Sequence, residues 1–465
     1  MRTTRMEYLV LAAGLVAGIA GLLPAAAARA QAADAGGTET GGTDTLERSV
    51  RFDLALVNLF VLRNDADFDR GMPTYEENGR TEGMLGTFLQ PHLAVDLKPH
   101  MQFYYETEIG LDLWSDRTPD AAVGGTPGES LSIKQREIWG RLELDPFSVK
   151  AGFQRVKDVT GLFINHWIGA ARFGLGAEKG TGLFLTAGQL PDQTYEGWTW
   201  GDSFGNFGND VLYTGLDGGV LLTPEVRLVA GGYYVHDGSL VDRTRNVGAA
   251  AGGVEVTYPG WKAGVSGMVQ VGSRQNQAGD LSDEGILAWG ATANGSAKLG
   301  IVTIDLALTG LSADDASEGN GALGFLYSGK RPGPSILLKE NTTRDLGDNL
   351  DEKIGSYDGW FFEMRSGLCG LDLGVHVDAL RWLRVGLVHA DLLVVNPDNA
   401  LGGRLVASEN EVVTDIHLFG SAFRLETIGG VLIPGQAGAA YVNQLSDRTA
   451  TDPIYFAQSA MIMNF

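Results

Sequence analysis

Charged side chains recur at every second position inside segments of this sequence that are otherwise apolar. In MQFYYETEIGLDLW (101–114), Glu106, Glu108 and Asp112 share one set of alternate positions, and the other set is mostly apolar. Charged groups collected on one face can pair with one another, coordinate an ion or line a water-filled space, but they cannot enter an apolar core without partners. The pattern therefore raises the question of which structural element presents these groups to water.

The alternation itself identifies that element as a β-strand. Successive side chains of a strand point to opposite faces, whereas a helix would scatter the same residues around its axis. The same period recurs in LQPHLAVDLK (89–98), IVTIDLALTG (301–310) and LDLGVHVDAL (371–380). Eighteen segments are predicted as strands: 50–63, 86–98, 101–114, 131–145, 148–158, 170–178, 181–191, 211–222, 225–236, 249–258, 261–273, 286–297, 300–310, 367–380, 382–395, 411–424, 427–441 and 453–465.

The connections between these segments alternate in length. Short turns such as DPF (145–147) and YPG (258–260) alternate with long polar loops. This alternation is typical of an outer-membrane β-barrel, which satisfies its backbone hydrogen bonds within lipid. We therefore predict an all-β fold, a transmembrane antiparallel β-barrel of about 18 strands with short periplasmic turns and long extracellular loops. Loss of one hairpin, at 170–191 or 427–441, would leave about 16 strands, and either number encloses an aqueous channel.

The composition excludes several other classes of protein. With 66 glycines, 44% hydrophobic and 20% charged residues, the chain is too apolar for a disordered protein, and its glycines lack the period of collagen. A formal charge of −22, from 35 basic and 57 acidic residues, argues against nucleic-acid binding, which requires basic surfaces. The single cysteine, Cys369, excludes a disulfide framework and a cysteine-based zinc site.

Both ends of the sequence carry features of export and assembly. Basic residues precede an apolar run and small residues follow it, so residues 1–30 are predicted to be a signal peptide. Residues 31–47 are small and polar and are expected to form a flexible periplasmic leader, which leaves 48–465 for the barrel. The last segment ends in Phe465 and resembles the C-terminal assembly signal of bacterial outer-membrane proteins. We therefore expect the outer membrane as location and the barrel-assembly machinery as a partner.

The polar faces of the predicted strands would line the interior of the barrel. Because acidic and basic residues are interleaved there, cross-strand pairs that hydrate and stiffen the wall are the simpler interpretation. Rings of one sign that select a charged permeant are the alternative. The candidate pore-lining residues are Arg51, Asp53, Asp96, Lys98, Glu106, Glu108, Asp112, Arg141, Glu143, Lys150, Arg172, Arg227, Lys262, Asp305, Asp372, His376, Asp378, Arg384, Asp415 and His417.

Two extracellular loops hold further candidates. In NDADFDRG (64–71), three aspartates are spaced as in the first half of a calcium loop, but the position of the closing ligand does not match. Solvated carboxylates are thus favoured, and Asp65, Asp67 and Asp69 form only a weak metal candidate. The loop 311–360 could fold into the lumen and narrow it, or cap the outer mouth. Its basic candidates for a constriction are Lys330, Arg331, Lys339 and Arg344.

One segment resembles a known family. KAGFQRVKDVTGLFINHWIGAARFGL (150–175) is similar to a strand–loop–strand segment of the alginate-export family of outer-membrane porins. Phe153 stands where that family usually has arginine. The resemblance implies a monomeric eighteen-stranded barrel that exports or passively passes an acidic polysaccharide, with a periplasmic export complex as its partner. The residues that carry it are Gly152, Gln154, Arg155, Asp158, Gly161 and Arg172.

The same segment poses a conflict of register. If Ala151 and Phe153 face lipid, Arg155 and Lys157 follow them onto that face, at a cost of about 2–4 kcal/mol each near the membrane centre. A bulge near Gln154, or an early exit into the extracellular loop, would take both cations out of the lipid.

These observations favour a channel over an enzyme, since the seven histidines are scattered and none lies in a G-x-S-x-G setting. We predict an outer-membrane channel for the passive passage of small polar solutes or sugars. The alternatives are an exopolysaccharide export porin of the alginate type and an adhesion or partner-docking barrel. The lipid bilayer and lipopolysaccharide are expected partners, no cofactor is expected, and the protein is expected to be a monomer. The acidic surplus argues against an acidic polymer as the permeant.

Overall fold

The computed structural model describes the chain in segments. These segments form one closed sheet and the smaller structures that lie inside it. The described residues are 48–63, 82–97, 100–112, 131–190, 211–238, 243–276, 283–313, 324–327, 333, 335, 355–358, 361–396, 403–419, 422–438 and 453–464. Within these ranges, no helix combines the length and hydropathy required to cross a bilayer. The predicted signal peptide (1–30) and leader (31–47) lie outside the described residues.

Eighteen antiparallel strands close into a barrel, and three short strands form a smaller sheet. In chain order the strands are β1 (Arg48–Arg63), β2 (Glu82–Leu97), β3 (Met101–Asp112), β4 (Leu131–Leu144), β5 (Phe147–Lys157), β6 (Asn165–Gly176), β7 (Gly182–Leu190), β8 (Val211–Leu221), β9 (Val226–Asp237), β10 (Arg243–Tyr258), β11 (Trp261–Asn276), β12 (Glu284–Leu299), β13 (Val302–Leu311), β14 (Phe325–Tyr327), β15 (Gly355–Asp358), β16 (Phe361–Met364), β17 (Leu368–Leu380), β18 (Leu383–Leu393), β19 (Leu405–Leu418), β20 (Phe423–Pro434) and β21 (Ile454–Asn464). β1 pairs with both β2 and β21, so the larger sheet closes on itself. The prediction of an eighteen-stranded barrel is confirmed, and the alternative of sixteen strands is wrong.

The connections sort by length onto the two ends of the barrel. Turns of two to five residues join β2 to β3, β4 to β5 and the following pairs at the end where β1 begins and β21 finishes. The opposite end carries mostly longer connections, including the one from β13 to β17 that contains the small sheet of β14, β15 and β16. We call these the turn end and the loop end. The predicted alternation of short turns and long loops is confirmed.

Each barrel strand has an apolar exterior face and a mixed interior face. On β11, Val265 and Val269 are 63% and 50% exposed, whereas Met268 and Gln270 beside them are buried. Because neighbours along a strand point to opposite sides, the exposed set faces outward and the buried set faces the enclosed space. Exposed valine, leucine and aromatic side chains on the outside match the surface that a transmembrane barrel presents to lipid.

The small sheet lies inside the barrel. Gln270, on the interior face of β11, donates from Nε2 to the Leu326 carbonyl oxygen at 2.7 Å and accepts at Oε1 from the Leu326 N–H at 2.9 Å. Phe325 packs so closely on Gly290 of β12 that a Cβ atom there would lie 2.7 Å from the ring. The described part of the 311–360 loop therefore follows the first of the two predicted possibilities and folds into the lumen.

The register of β5 decides where Arg155 and Lys157 lie. The pairing of β5 with β6 runs without a shift along the whole of β5. The bulge considered near Gln154 is therefore absent from this pair, and both cations stay on the exterior face. β5 ends at Lys157, so the chain leaves the barrel wall there at the loop end.

Candidate functional site: the barrel interior

Three basic side chains stand side by side on the interior wall towards the turn end. Arg141 of β4 is the direct cross-strand neighbour of Lys150 of β5, and Lys150 is the direct neighbour of Arg172 of β6. Directly opposed side chains on one face have Cβ atoms about 4.5–5.5 Å apart, so the three cations form a continuous strip. We call Arg141, Lys150 and Arg172 the basic row.

The two arginines of the basic row are paired with carboxylates. The Arg141 guanidinium lies 2.6 Å from a Glu143 oxygen. The Arg172 guanidinium lies 3.1 Å from Asp217 and 3.5 Å from Glu178. These pairs fix both guanidinium groups against the wall and reduce the positive charge that the two arginines present to the lumen.

Lys150 has a different environment. Its ammonium lies 4.0 Å from the centre of the Trp139 ring, while the indole N–H of Trp139 donates to Glu137 at 2.6 Å. Among the described residues, no carboxylate oxygen lies within 4.0 Å of the Lys150 nitrogen. A cation held over an aromatic face keeps its charge without being neutralised. Lys150 is therefore the member of the basic row that can meet an anion in the lumen.

A second row lies about half the circumference away, and it contains three carboxylates and one arginine. It consists of direct neighbours from β17, β18, β19 and β20. We call these residues the mixed row: Asp378, Arg384, Asp415 and Glu426.

The carboxylates of the mixed row are matched by nearby cations. The Lys298 ammonium lies 2.9 Å from Asp378, and Arg384 lies 3.2 Å from the same carboxylate. Arg424 donates to Asp415 at 2.9 Å. This wall fits the simpler of the two interpretations of the interior charges, in which opposite charges pair and hydrate the barrel.

Some of the remaining pore-lining and loop candidates lie on the interior face of the barrel. The others lie outside the described residues or side chains. Arg51 and Asp53 lie 3.3 Å apart and are mostly exposed, and His376 lies 3.5 Å from Asp305. Interior candidates outside the two rows are Arg51, Asp53, Asp96, Glu106, Glu143, Arg227, Lys262, Asp305, Asp372, His376 and His417. Outside the described residues or side chains are Lys98, Glu108, Asp112, Lys330, Arg331, Lys339, Arg344, Asp65, Asp67 and Asp69.

In the loop-end half of the lumen, the segment 158–164 between β5 and β6 is folded inward around one carboxylate. Asp158 accepts hydrogen bonds from the N–H groups of Thr160 at 2.7 Å, Gly161 at 2.9 Å and Ile164 at 2.6 Å, and from the Thr160 hydroxyl at 2.6 Å. Burial raises the pKa of the Asp158 carboxyl, and these hydrogen bonds oppose the rise. The Tyr233 hydroxyl, on β9, accepts a hydrogen bond from the N–H of Val159 in the same segment at 2.9 Å.

The two inward segments meet inside the lumen. Leu162, Phe163 and Ile164 are fully buried, and Phe163 stacks on Phe361 of β16 with ring centres 5.3 Å apart. These apolar contacts, together with the small sheet, occupy part of the space that the wall encloses. The loop-end half is therefore narrower than the eighteen strands alone would make it.

A third contact covers one of the predicted pore-lining acids. Asp372 lies on the interior face of β17 as expected, but it is fully buried and accepts a hydrogen bond from the Ser335 hydroxyl. Gly333 lies directly against the same carboxylate. Asp372 therefore anchors an inward segment of the 311–360 loop and is not exposed to water in the lumen.

The sequence analysis did not identify Asp158 or Gln270 as anchors of the inward segments. Asp158 carried a usable signal, because an aspartate followed by Thr160 and Gly161 is typical of a turn in which the carboxylate accepts backbone N–H groups. Gln270 carried no comparable signal, because its partner is the backbone of a residue far away in the chain.

No family model and no curated protein sequence matches this chain. Solved structures do. Pseudomonas aeruginosa OccK9 (OpdG) matches with a TM-score of 0.56 at 14% identity, over 90% of this chain and 98% of that one. Acinetobacter baumannii OccAB3 matches with a TM-score of 0.53 at 10% identity, over 90% and 99%. Pseudomonas aeruginosa OpdK, in a structure with vanillate, matches with a TM-score of 0.51 at 11% identity, over 90% and 98%.

The chain shares the fold of these proteins. OpdK is described as an outer membrane protein, which agrees with the predicted class of barrel. At 9–14% identity the likeness extends to the fold and not to individual residues. Alginate exporters are not among the structures named above, so the resemblance of residues 150–175 to that family stays a prediction.

Proposed function

We propose that this protein is a passive channel of the bacterial outer membrane for small polar solutes, with a preference for compact organic anions. The observation that carries the proposal is the position of the basic row, on the interior wall of the turn-end half and next to a narrowed loop-end half. The apolar exterior supports placement in a bilayer, with the turn end in the periplasm and the loop end outside.

The inward segments support a limit on the size of the permeant. The segment 158–164 and the small sheet are held by hydrogen bonds and by buried aromatic contacts, so they are part of the folded structure. Channels that select small solutes narrow their lumen with such inward structure, whereas passage of a polymer needs a wide bore. The proposal is therefore a solute channel, and polysaccharide export lacks a supporting observation.

The charge pattern supports a preference for anions. Lys150 lies between two arginines and has no carboxylate partner among the described residues, while the carboxylates of the mixed row are paired with Lys298, Arg384 and Arg424. A ring or strip of one sign in a narrow pore favours ions of the opposite sign. OpdK, which shares the fold, has been solved with vanillate, and an aromatic carboxylate of that kind is a suitable first probe.

Planar-bilayer recordings on the purified full-length protein test the proposal. In a salt gradient, the reversal potential should indicate that chloride permeates more readily than potassium, and vanillate added to one side should block the current in brief events. A long polyuronate should not enter the pore or block it at low concentration. Cation preference would remove the anion part of the proposal, and sustained block by polyuronate would favour the export alternative.

A further inference from the structure

Arg155 and Lys157 lie on the outside of the barrel. They occupy the same alternate positions of β5 as Val149, Ala151 and Phe153, which face outward, and both side chains are exposed. The other arginines of the barrel strands whose side chains are described lie on interior faces. A pair of cations on the lipid-facing side of a chain with a net charge of −22 needs a specific explanation.

The position of the pair along β5 places it at the outer edge of the apolar band. Arg155 comes eight residues after Phe147, the exposed aromatic residue at the turn end. At about 3.3 Å per residue and a strand tilt of about 40°, this is a height of roughly 20 Å, and Lys157 lies about 5 Å higher. The apolar band of such barrels is about 25 Å tall, so Lys157 lies at its outer edge, and the long Arg155 side chain starts about 5 Å below that edge and can extend to the outer headgroups.

The Arg155 guanidinium is held in a fixed orientation. Its Nε and one terminal nitrogen donate to the Asn165 side-chain oxygen at 3.1 and 2.9 Å, and the guanidinium lies 5.4 Å from the centre of the Trp167 ring. These contacts use one edge and one face of the group and leave its other terminal nitrogen for a partner. Lys157 is the direct cross-strand neighbour of Asn165, and the end of its side chain lies against Gly161, so the second cation lies at the loop end of β5 just beyond the first.

The pair lacks a charged partner within the described part of the chain. No described carboxylate lies within 4.0 Å of either cation, although an acid, Asp158, is next in sequence. That carboxylate points the other way, because its four hydrogen bonds come from the buried segment 158–164. An oriented guanidinium beside an ammonium is well suited to bind a phosphate group, which accepts several charge-assisted hydrogen bonds.

We propose that Arg155, Lys157 and Trp167 form a binding site for the phosphate of an outer-leaflet glycolipid of the lipid A type. A lipid is preferred over soluble phosphate because the apolar face of β5 continues directly below the two cations, where acyl chains can lie. The proposal rests on the orientation of the barrel in the membrane and not on what passes through it.

Native mass spectrometry of the detergent-purified full-length protein tests this site. The protein is incubated with bisphosphorylated lipid A and then transferred to lipid-free detergent, and the retained lipid is measured. We expect the Arg155→Gln/Lys157→Gln variant to retain on the order of tenfold less lipid A than the wild type, because two charge-assisted contacts are lost. Dephosphorylated lipid A should bind both proteins equally weakly, and millimolar inorganic phosphate should not displace the lipid.

A matched control removes the same charge from the opposite end of the barrel. Lys179 and Arg381 are exposed cations in turn-end connections, so Lys179→Gln/Arg381→Gln should retain lipid A like the wild type. Equal retention by the Arg155→Gln/Lys157→Gln variant and the wild type would overturn the proposal, as would an equal loss in the control. Displacement by inorganic phosphate would identify a site for soluble anions instead.

Two further measurements keep the test independent of folding and of the channel. Heat-dependent gel migration reports whether each variant forms a barrel, and if the double variant does not, Lys157→Gln alone carries the test, with partial loss of lipid A expected. Single-channel conductance of the single variant Arg155→Gln, which should also lose part of its lipid A, should equal that of the wild type, because this side chain lies on the exterior face and is held by Asn165 of β6. Lipid loss with unchanged conductance therefore separates this site from the proposed function.

Discussion

The loop-end and turn-end halves of the lumen are lined by the same strands but are built in different ways. In the loop-end half, interior side chains such as Val235, Gln270 and Leu311 are fully buried beneath inward segments. In the turn-end half, interior charged side chains such as Glu143 and Lys298 remain 54% and 55% exposed. One half resembles a protein core and the other a wetted surface.

The difference separates two ways of selecting a permeant. A packed region sets the width of the pore through hydrogen bonds and contacts that are expensive to break once water is excluded. A wetted region acts through charge, which water and salt screen, so single changes there alter ion preference more than stability. Variants in the loop-end half should therefore change conductance and local order, and variants in the turn-end half should change ion selectivity alone.

The largest expected effect is that of Asp158→Ala. The change removes the acceptor of the Thr160 and Ile164 N–H groups in a buried segment, and two unpaired buried N–H groups cost about 2–6 kcal/mol. We expect the segment 158–164 to leave the lumen and the single-channel conductance to rise by roughly twofold. Chymotrypsin should also begin to cleave after Phe163, which is fully buried in the native protein.

Asp158→Asn is the conservative control for this prediction. The amide keeps one oxygen acceptor and should preserve part of the turn, so its conductance should lie between those of the wild type and Asp158→Ala. Unchanged conductance and unchanged protease resistance in Asp158→Ala would contradict the assignment of this segment as a constriction.

A smaller effect of the same kind is expected for Gln270→Ala. The wall would lose both hydrogen bonds to Leu326, leaving one buried N–H and one buried carbonyl unpaired, at a cost of about 2–6 kcal/mol. The small sheet keeps its other contacts, so the conductance should rise by less than in Asp158→Ala and should fluctuate more between levels. Ser266→Ala, four residues nearer the turn end on the same face, is the control and should behave like the wild type.

The sequence predicts the wall of the barrel well because its signals are local. On β11, Val265 and Val269 alternate with Met268 and Gln270, and this period of two follows from strand geometry whatever the rest of the chain does. The small sheet could not be predicted in this way. β14 has only three residues, too few for a period, and its position depends on contacts with β11 that are distant in sequence.

The basic row, like the barrel, could be predicted from the sequence only where the signals are local. The residue types and faces of Arg141 and Lys150 follow from alternation, and their direct pairing follows from the two-residue turn between β4 and β5. The place of Arg172 beside them depends on the register across the 158–164 connection, which the sequence does not specify. The hydrogen bonds of Asp158 organise that connection, and the sequence analysis missed this role.

In the turn-end half, Lys150→Gln should have the largest effect on selectivity. Removing the cation of the basic row that lacks a carboxylate partner should lower the ratio of chloride to potassium permeability by roughly twofold, with unchanged conductance and heat-dependent gel migration. Lys150→Arg should preserve the ratio, because it retains the charge over Trp139. Reversal potentials in a salt gradient measure both. An equal fall in the two variants would assign the effect to altered packing and not to charge.

The smallest effect is expected for Arg51→Gln, which removes the same charge from the interior face near the turn end. Arg51 is paired with Asp53 at 3.3 Å, and the two side chains are 66% and 57% exposed, so water and salt already screen the charge. The permeability ratio should stay within roughly a fifth of the wild-type value, with no measurable change in stability. If Arg51→Gln shifted the reversal potential as far as Lys150→Gln, selectivity would depend on the total charge of the lumen and not on the basic row. Repeating both measurements at high salt separates the two cases, because the contribution of an exposed charge then falls further while that of a charge in a confined strip persists.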